Sequence, residues 1–160
     1  FIDNVVRNDF RALYKITDRE LKQLNKKYKL ENIEPPKINY FVKYKSNYYI
    51  LLNQFKTSKR LDPIKIEISQ THTKLINKYL RQTKFNKYLF ENPKTRTSFT
   101  TAEFTLWIED IFKSTGKRVG TTLLRHILIS FKHGDNLAAQ EEDARKAGHG
   151  VLMQNKYVKR

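Results

Sequence analysis

Three segments in the middle of the chain have hydrophobic patterns typical of β-strands. Aromatic and β-branched residues fill Tyr40–Tyr44 and Tyr48–Phe55, and hydrophobic positions alternate with polar ones through Ile64, Ile66 and Ile68. The alternation is typical of a half-buried strand, in which successive side chains point to opposite faces. Polar residues at 45–47 and 56–60 separate the three segments, so the pattern predicts three antiparallel strands joined by turns.

Helical periodicity precedes and follows these strands. Thr17 and Glu20 have the spacing of a capping box, and so do Thr100 and Glu103, each pair standing before an apolar stripe. Gly116 is predicted to end the helix that begins after Thr100. Similar apolar spacing predicts further helices near 75–80, 119–131, 137–146 and 151–159. The predicted fold is α+β, mainly α-helical, with one small three-stranded antiparallel sheet.

The charge balance narrows the classes of partner. The 160 residues include 32 Lys and Arg against 16 Asp and Glu, which gives a net charge of +16. Such an excess favours a polyanion, and nucleic acid above all, because Lys and Arg displace counterions from phosphates. The alternative is a solvated surface with the Lys and Asn bias of an AT-rich genome. No apolar run approaches the ~18 residues of a membrane span.

The absence of Cys excludes disulfides, thiolate zinc sites and a Cys nucleophile. Other residues could carry chemistry. Arg125 and His126 lie in the middle of a largely apolar helix, where a charge needs a partner. The structural alternative is an Arg that snorkels or pairs with an acid, and a His that makes a core hydrogen bond. His149 lies between two glycines, and Tyr157 is a phenol among basic residues, which favour its nucleophilic, ionised form.

Three segments near the end of the chain resemble the C-terminal signature of the tyrosine recombinases, or phage-type integrases. They are Leu124-Arg125-His126, Ala147-Gly148-His149 and Tyr157. The likeness is closest to the integrase-like recombinases of large DNA viruses and virophages. One position departs from the pattern, because Thr122 stands where the family usually has a His, three residues before the second arginine.

Two further segments extend the resemblance towards the start of the chain. Residues 53–59 look like the β-hairpin that carries the family's catalytic lysine, with Lys56 the best match and Lys59 the second choice. Residues 6–10 are similar to the segment that carries the first catalytic arginine, which would be Arg7. The resemblance therefore covers the chain in the family's order and implies one catalytic domain over residues 1–160. The family's N-terminal DNA-clamping domain is expected to be absent from this chain.

The family resemblance implies cleavage and rejoining of DNA strands through a 3′-phosphotyrosine intermediate, in site-specific recombination or integration. Tyr157 would be the nucleophile, Arg7 and Arg125 would bind the non-bridging phosphate oxygens, and His149 would donate a further hydrogen bond. Lys56 would protonate the leaving 5′-oxygen. Guanidinium groups suit this role because their donors match phosphate as a fork.

Other basic residues are expected to hold the DNA backbone: Lys59, Arg60, Lys117 and Arg118. No cofactor and no metal are expected. The implied partners are double-stranded DNA and three further copies of the chain in a tetramer on DNA, with no membrane. The expected location is intracellular, in the nucleus or a viral replication compartment, and the protein could be virus-encoded.

Two other functions fit the same residues. A type IB topoisomerase-like enzyme would use the same Arg, Lys, Arg, His and Tyr set to relax DNA instead of recombining it. A DNA-binding module that has lost catalysis is the third candidate, and Thr122 is its support. Formation of a covalent protein–DNA adduct separates the two enzymes from the binding module.

Overall fold

The computed structural model describes residues 8–55, 58–59, 62–83 and 87–133 of the chain. These residues divide into two compact units. A helical unit contains residues 8–11, 55, 58–59 and 99–133, and a sheet unit contains residues 12–54, 62–83 and 87–98. The fold is α+β, as the sequence predicts.

The sheet unit is built on four strands in the order β1-β2-β3-β4. Strands β1 and β2 are parallel, and the other two neighbouring pairs are antiparallel. A helix lies in the crossover that connects the parallel pair, which is the usual connection between parallel strands, and a second helix follows the last strand. The elements are β1 (Tyr14–Thr17), α1 (Asp18–Leu30), β2 (Tyr40–Tyr44), β3 (Asn47–Leu52), β4 (Ile64–Glu67) and α2 (Gln70–Gln82).

The three predicted strands correspond to β2, β3 and β4, and they pair antiparallel as predicted. The predicted sheet is incomplete, because it lacks the fourth strand, β1, which pairs parallel to β2. This strand has only four residues, and its last residue, Thr17, is also the N-cap of α1. Its pairing comes from distant residues. Tyr14 lies opposite Tyr40 in β2, and on the other side the Lys15 amide donates to the Lys87 carbonyl at 2.9 Å. Four residues with a single alternation carry too little periodicity to indicate a strand.

Both faces of the sheet are covered by a helix. On one face, Ile16 and Val42 form a buried cluster with Leu21 of α1. On the other face, Tyr48 packs its ring on Phe41 at a centroid distance of 4.8 Å, and its hydroxyl donates to Asn77 of α2 at 2.7 Å. Because side chains alternate along a strand, α1 and α2 lie on opposite faces of the sheet.

The helical unit contains α3 (Thr101–Ile111) and α4 (Thr121–His133). A single 3-10 turn, Lys113–Thr115, lies between them and ends at Gly116, whose φ of 69° is in the left-handed region. The prediction that Gly116 ends α3 is therefore wrong, because α3 ends at Ile111 and Gly116 ends the 3-10 turn that follows. Phe99 stacks on Trp107 of α3 at 5.4 Å and anchors this helix. The helices predicted at 137–146 and 151–159 lie outside the described residues.

Both predicted capping boxes are confirmed. At the start of α3, the Thr100 hydroxyl accepts from the Glu103 amide, and the Glu103 carboxylate accepts from the Thr100 amide at 2.8 Å. These bonds satisfy two backbone donors that a helix start leaves open. Replacement of Thr100 by Ala is expected to lower the free energy of unfolding by about 1 kcal/mol. Urea denaturation followed by circular dichroism measures this.

The neighbouring Thr101→Ala variant is the matched control, because Thr101 is exposed and is the first residue inside α3. It is expected to change stability by a few tenths of a kcal/mol at most. Equal losses in the two variants would contradict a capping role for Thr100.

Candidate functional site

Among the five residues that the family resemblance makes catalytic, the structure describes Arg125. Arg7, Lys56, His149 and Tyr157 lie outside the described residues. The described neighbours of Arg7 and Lys56 are Asn8 and Phe55.

Arg125 lies in the middle of α4 and is buried, with 6% of its surface exposed. The snorkelling alternative is thereby excluded, since a snorkelling Arg keeps its charged end in water. A buried guanidinium is stable only where other groups compensate its charge and donors. Such an Arg is held in a fixed orientation, which suits either a structural ion pair or the binding of one phosphate.

The sequence predicts that an apolar stripe with a spacing of four residues, from Val119 through Ile127, forms the inward face of α4. The structure differs from this prediction. Val119, just before the helix, is buried as the predicted apolar stripe requires, but Ile127 on the same stripe is 52% exposed. The inward face at this level of the helix therefore includes Arg125. Thr122, at the position of the family's usual His, is exposed.

Residues next to Arg7 and Lys56 in the sequence belong to the same unit as Arg125. Asn8 directly follows Arg7 in sequence, and Phe55 directly precedes Lys56. Both neighbours belong to the helical unit, although Asn8 and Arg125 are far apart along the chain. Phe55 is buried, and its carbonyl accepts from the Ser58 amide at 3.0 Å. The segments that flank Arg7 and Lys56 thus fold with α4.

The predicted phosphate contacts in this unit differ in their surroundings. Lys59 and Lys117 are exposed, and Arg60 lies outside the described residues. The Arg118 Nε donates to both carboxylate oxygens of Glu109 at 3.0 Å. An exposed ion pair of this kind contributes at most about 1 kcal/mol to stability.

No family model matches the chain, and neither a curated protein nor a solved structure is similar to it. The resemblance to the tyrosine recombinases thus rests on the sequence motifs. Within the described ranges, no helix is long and apolar enough to cross a membrane. In the same ranges, no group of three or more His, Asp or Glu side chains is placed to hold a metal ion.

The sheet unit carries a basic cleft that the sequence analysis did not identify. It lies on the α2 face of the sheet, has a volume of about 400 Å³, and is lined by three cationic side chains: Lys15 of β1, Lys43 of β2 and Arg81 of α2. Lys15 could not be assigned to this face from the sequence because β1 itself was missed. The available signal is the alternation of Lys15 and Thr17 with Tyr14 and Ile16, which is too short to indicate a strand by itself.

Two ionisable groups of the cleft are shifted by their surroundings. Burial lowers the pKa of Lys15, and the charge of Glu91 partly opposes this shift. Burial also raises the pKa of Tyr48, so that its hydroxyl keeps its proton at neutral pH. Tyr48 is therefore the donor in its bond to Asn77. The amide nitrogen of Asn77 remains a donor on the cleft wall.

Proposed function

We propose that this chain is the catalytic domain of a DNA breaking and rejoining enzyme of the tyrosine recombinase type. Two observations taken together support this proposal best: the order of the motifs in the sequence and the unit into which they fold. The family's residues occur in the family's order, and the described neighbours of Arg7 and Lys56 fold into one unit with a buried Arg125. The net charge of +16 supports DNA as the substrate.

In the proposed reaction, the Tyr157 oxygen attacks the scissile phosphorus and a new P–O bond forms. The bond from phosphorus to the 5′-oxygen breaks, and Lys56 gives that oxygen a proton. The phenolic proton passes to solvent, because the position of the family's usual imidazole is the exposed Thr122. The DNA stays linked to the protein through a 3′-phosphotyrosine, so the strand is rejoined by the reverse steps without ATP.

Electrostatic stabilisation by the two arginines carries most of the proposed rate enhancement. The phosphorus passes through a crowded state with additional negative charge on its non-bridging oxygens. Arg7 and Arg125 bind these oxygens, and His149 adds a hydrogen bond. The burial of Arg125 supports this role, because a guanidinium that is already fixed and desolvated needs little reorganisation when the charge develops.

A duplex with a nick next to the cleavage site tests the proposal. Loss of the short cleaved fragment prevents rejoining, so the covalent adduct is expected to accumulate and to survive denaturing electrophoresis. Salt-dependent DNA binding without an adduct would contradict the enzyme and leave the non-catalytic binding module. This second candidate is favoured by the presence of Thr122 at the position where the family usually has a His.

Two differently labelled duplexes then separate the two enzymatic outcomes. A recombinase is expected to join a strand of one duplex to a strand of the other. Relaxation of a supercoiled plasmid with no joint product would instead indicate a topoisomerase-like enzyme. This arm needs the full protein at a concentration that allows several copies to assemble on DNA.

A further inference from the structure

Helix α2 carries cationic side chains and no Asp or Glu. Lys74, Lys78 and Arg81 recur at intervals of four and three residues, so they lie on one side of the helix. All three are exposed, and none forms an ion pair with a carboxylate in the described part of the chain. Helix α1 differs, because Lys22 and Lys27 there pair with Asp18 and Glu31.

The end of this row borders the cleft on the sheet. Arg81 lines the cleft together with Lys15 and Lys43. The register explains why the two lysines share one face. Lys15 lies beside Phe41, and Lys43 is two residues further along β2, so all three side chains point to the α2 side. Cations from three separate elements thus meet at one opening.

The polar groups of the cleft favour an anion. The carboxylate that lines it, Glu20, already accepts from the Thr17 amide at 2.8 Å and from the Thr17 hydroxyl at 2.7 Å. Asn77 offers its amide nitrogen, because its oxygen accepts from Tyr48. The cleft therefore presents three cations and the Asn77 amide against a single carboxylate, one oxygen of which is already hydrogen-bonded to Thr17.

We propose that the basic α2 face, which comprises Lys15, Lys43, Lys74, Lys78 and Arg81, binds the phosphate backbone of a nucleic-acid strand. It would be a second contact surface, separate in residues from the catalytic set. The inference rests on the proposed function only for the choice of duplex DNA as the nucleic acid.

The extent of the face favours a strand over a single nucleotide. Lys74 and Lys78 lie along α2 outside the lining of the cleft. Lys74 and Arg81 are seven positions apart, which corresponds to about 10 Å along the helix. One phosphate group cannot contact cations over that length, whereas the phosphates of one DNA strand recur every ~3.4 Å along the duplex axis.

The test measures the salt dependence of DNA binding by fluorescence anisotropy, with the full chain and a labelled duplex. The triple variant Lys74→Gln, Lys78→Gln, Arg81→Gln is expected to lower the slope of log K against log salt by about 2–3 and to weaken binding about tenfold. All three positions are exposed, so the fold should be retained, which the melting temperature checks.

The matched control is Arg19→Gln, Lys26→Gln, Lys29→Gln on α1, which removes the same charges from exposed positions on the opposite side of the sheet. This variant is expected to keep the wild-type slope to within about 0.5. Equal slopes for the two triple variants, whether both fall or neither does, would overturn the proposal. Such a result would mean that only the net charge matters, or that this face does not bind DNA.

A mononucleotide arm distinguishes the two sources of phosphate. AMP at millimolar concentration and constant ionic strength should displace little DNA from the wild type. If AMP displaces DNA from the wild type but not from a Lys43→Gln variant, the proposal that the face binds a DNA strand is overturned, and the cleft is instead a mononucleotide pocket. DNA binding does not require cleavage, so the two proposals can fail separately. If the adduct forms but the salt slope of the α2 triple variant equals that of the wild type, this inference is refuted and the enzyme is not. If the slope falls but no adduct forms, the enzyme is refuted and this inference is not.

Discussion

Replacement of Tyr157 by Phe is expected to abolish the covalent protein–DNA adduct. The change removes a single oxygen, and that oxygen is the atom that would form the bond to phosphorus. No water or metal substitutes for it in the proposed mechanism, so the rate of adduct formation should fall by at least about 10³-fold. The measurement is adduct yield over time on the nicked duplex, at saturating protein.

Tyr44→Phe is the matched control for this variant. Tyr44 is a Tyr with an exposed side chain that lies at the end of β2 in the sheet unit, and it has no role in the proposed reaction. Its loss of a hydroxyl should leave the adduct yield unchanged. DNA affinity should be the same for both variants and the wild type, because neither change alters the charge at neutral pH. An adduct that persists in the Tyr157 variant would assign the nucleophile to another residue.

Replacement of Arg125 by Lys has the second-largest expected effect. The charge is kept, but the planar fork that binds two phosphate oxygens is lost. The rate of adduct formation should fall by about 10²–10³-fold, the usual cost of one preorganised donor in such a site. The readout is the single-turnover rate at saturating DNA, which separates the chemical step from binding.

A structural role for Arg125 makes a different prediction. A buried Arg that only holds α4 in place would, on substitution, lower the melting temperature, and the rate would follow the folded fraction. A low rate at an unchanged melting temperature supports the phosphate role. Arg19→Lys, an exposed conservative change on α1, controls for the substitution itself and should alter neither quantity. A full rate in Arg125→Lys would remove Arg125 from the catalytic set.

The parts of the fold that were predictable from the sequence are those determined by residues close together in the chain. Both capping boxes are confirmed because each needs only two residues three positions apart. Strand β2 has the predicted bounds because five consecutive residues favour extended backbone and three of them are buried. The helix predicted near 75–80 is confirmed as α2, which spans Gln70–Gln82.

The parts that were not predictable depend on distant partners. Strand β1 is held by β2 on one side and by residues 87–89 on the other, so its four residues alone do not indicate it. Because β1 was not predicted, Lys15 could not be assigned to a face of the sheet, and the basic cleft could not be predicted. The exposure of Ile127 and the burial of Arg125 likewise follow from packing against distant residues, and the four-residue spacing of the apolar stripe does not indicate them.

For the candidate site, the sequence supplies the types of the residues and their order, and the fold adds the burial of Arg125 and the unit to which the neighbours of Arg7 and Lys56 belong. Arg125 is buried, and the neighbours of Arg7 and Lys56 share its unit. These facts are compatible with one phosphate site but do not identify the nucleophile. The order of motifs alone assigns that role to Tyr157.

The most direct measurement is mass spectrometry of the peptide that carries DNA after reaction with the nicked duplex and nuclease trimming. The proposal predicts a nucleotide 3′-phosphate linked to the phenolic oxygen of Tyr157, on a peptide that includes Lys156 or Val158. A linkage to any other residue, or no linked peptide from protein that binds the same duplex, would contradict it.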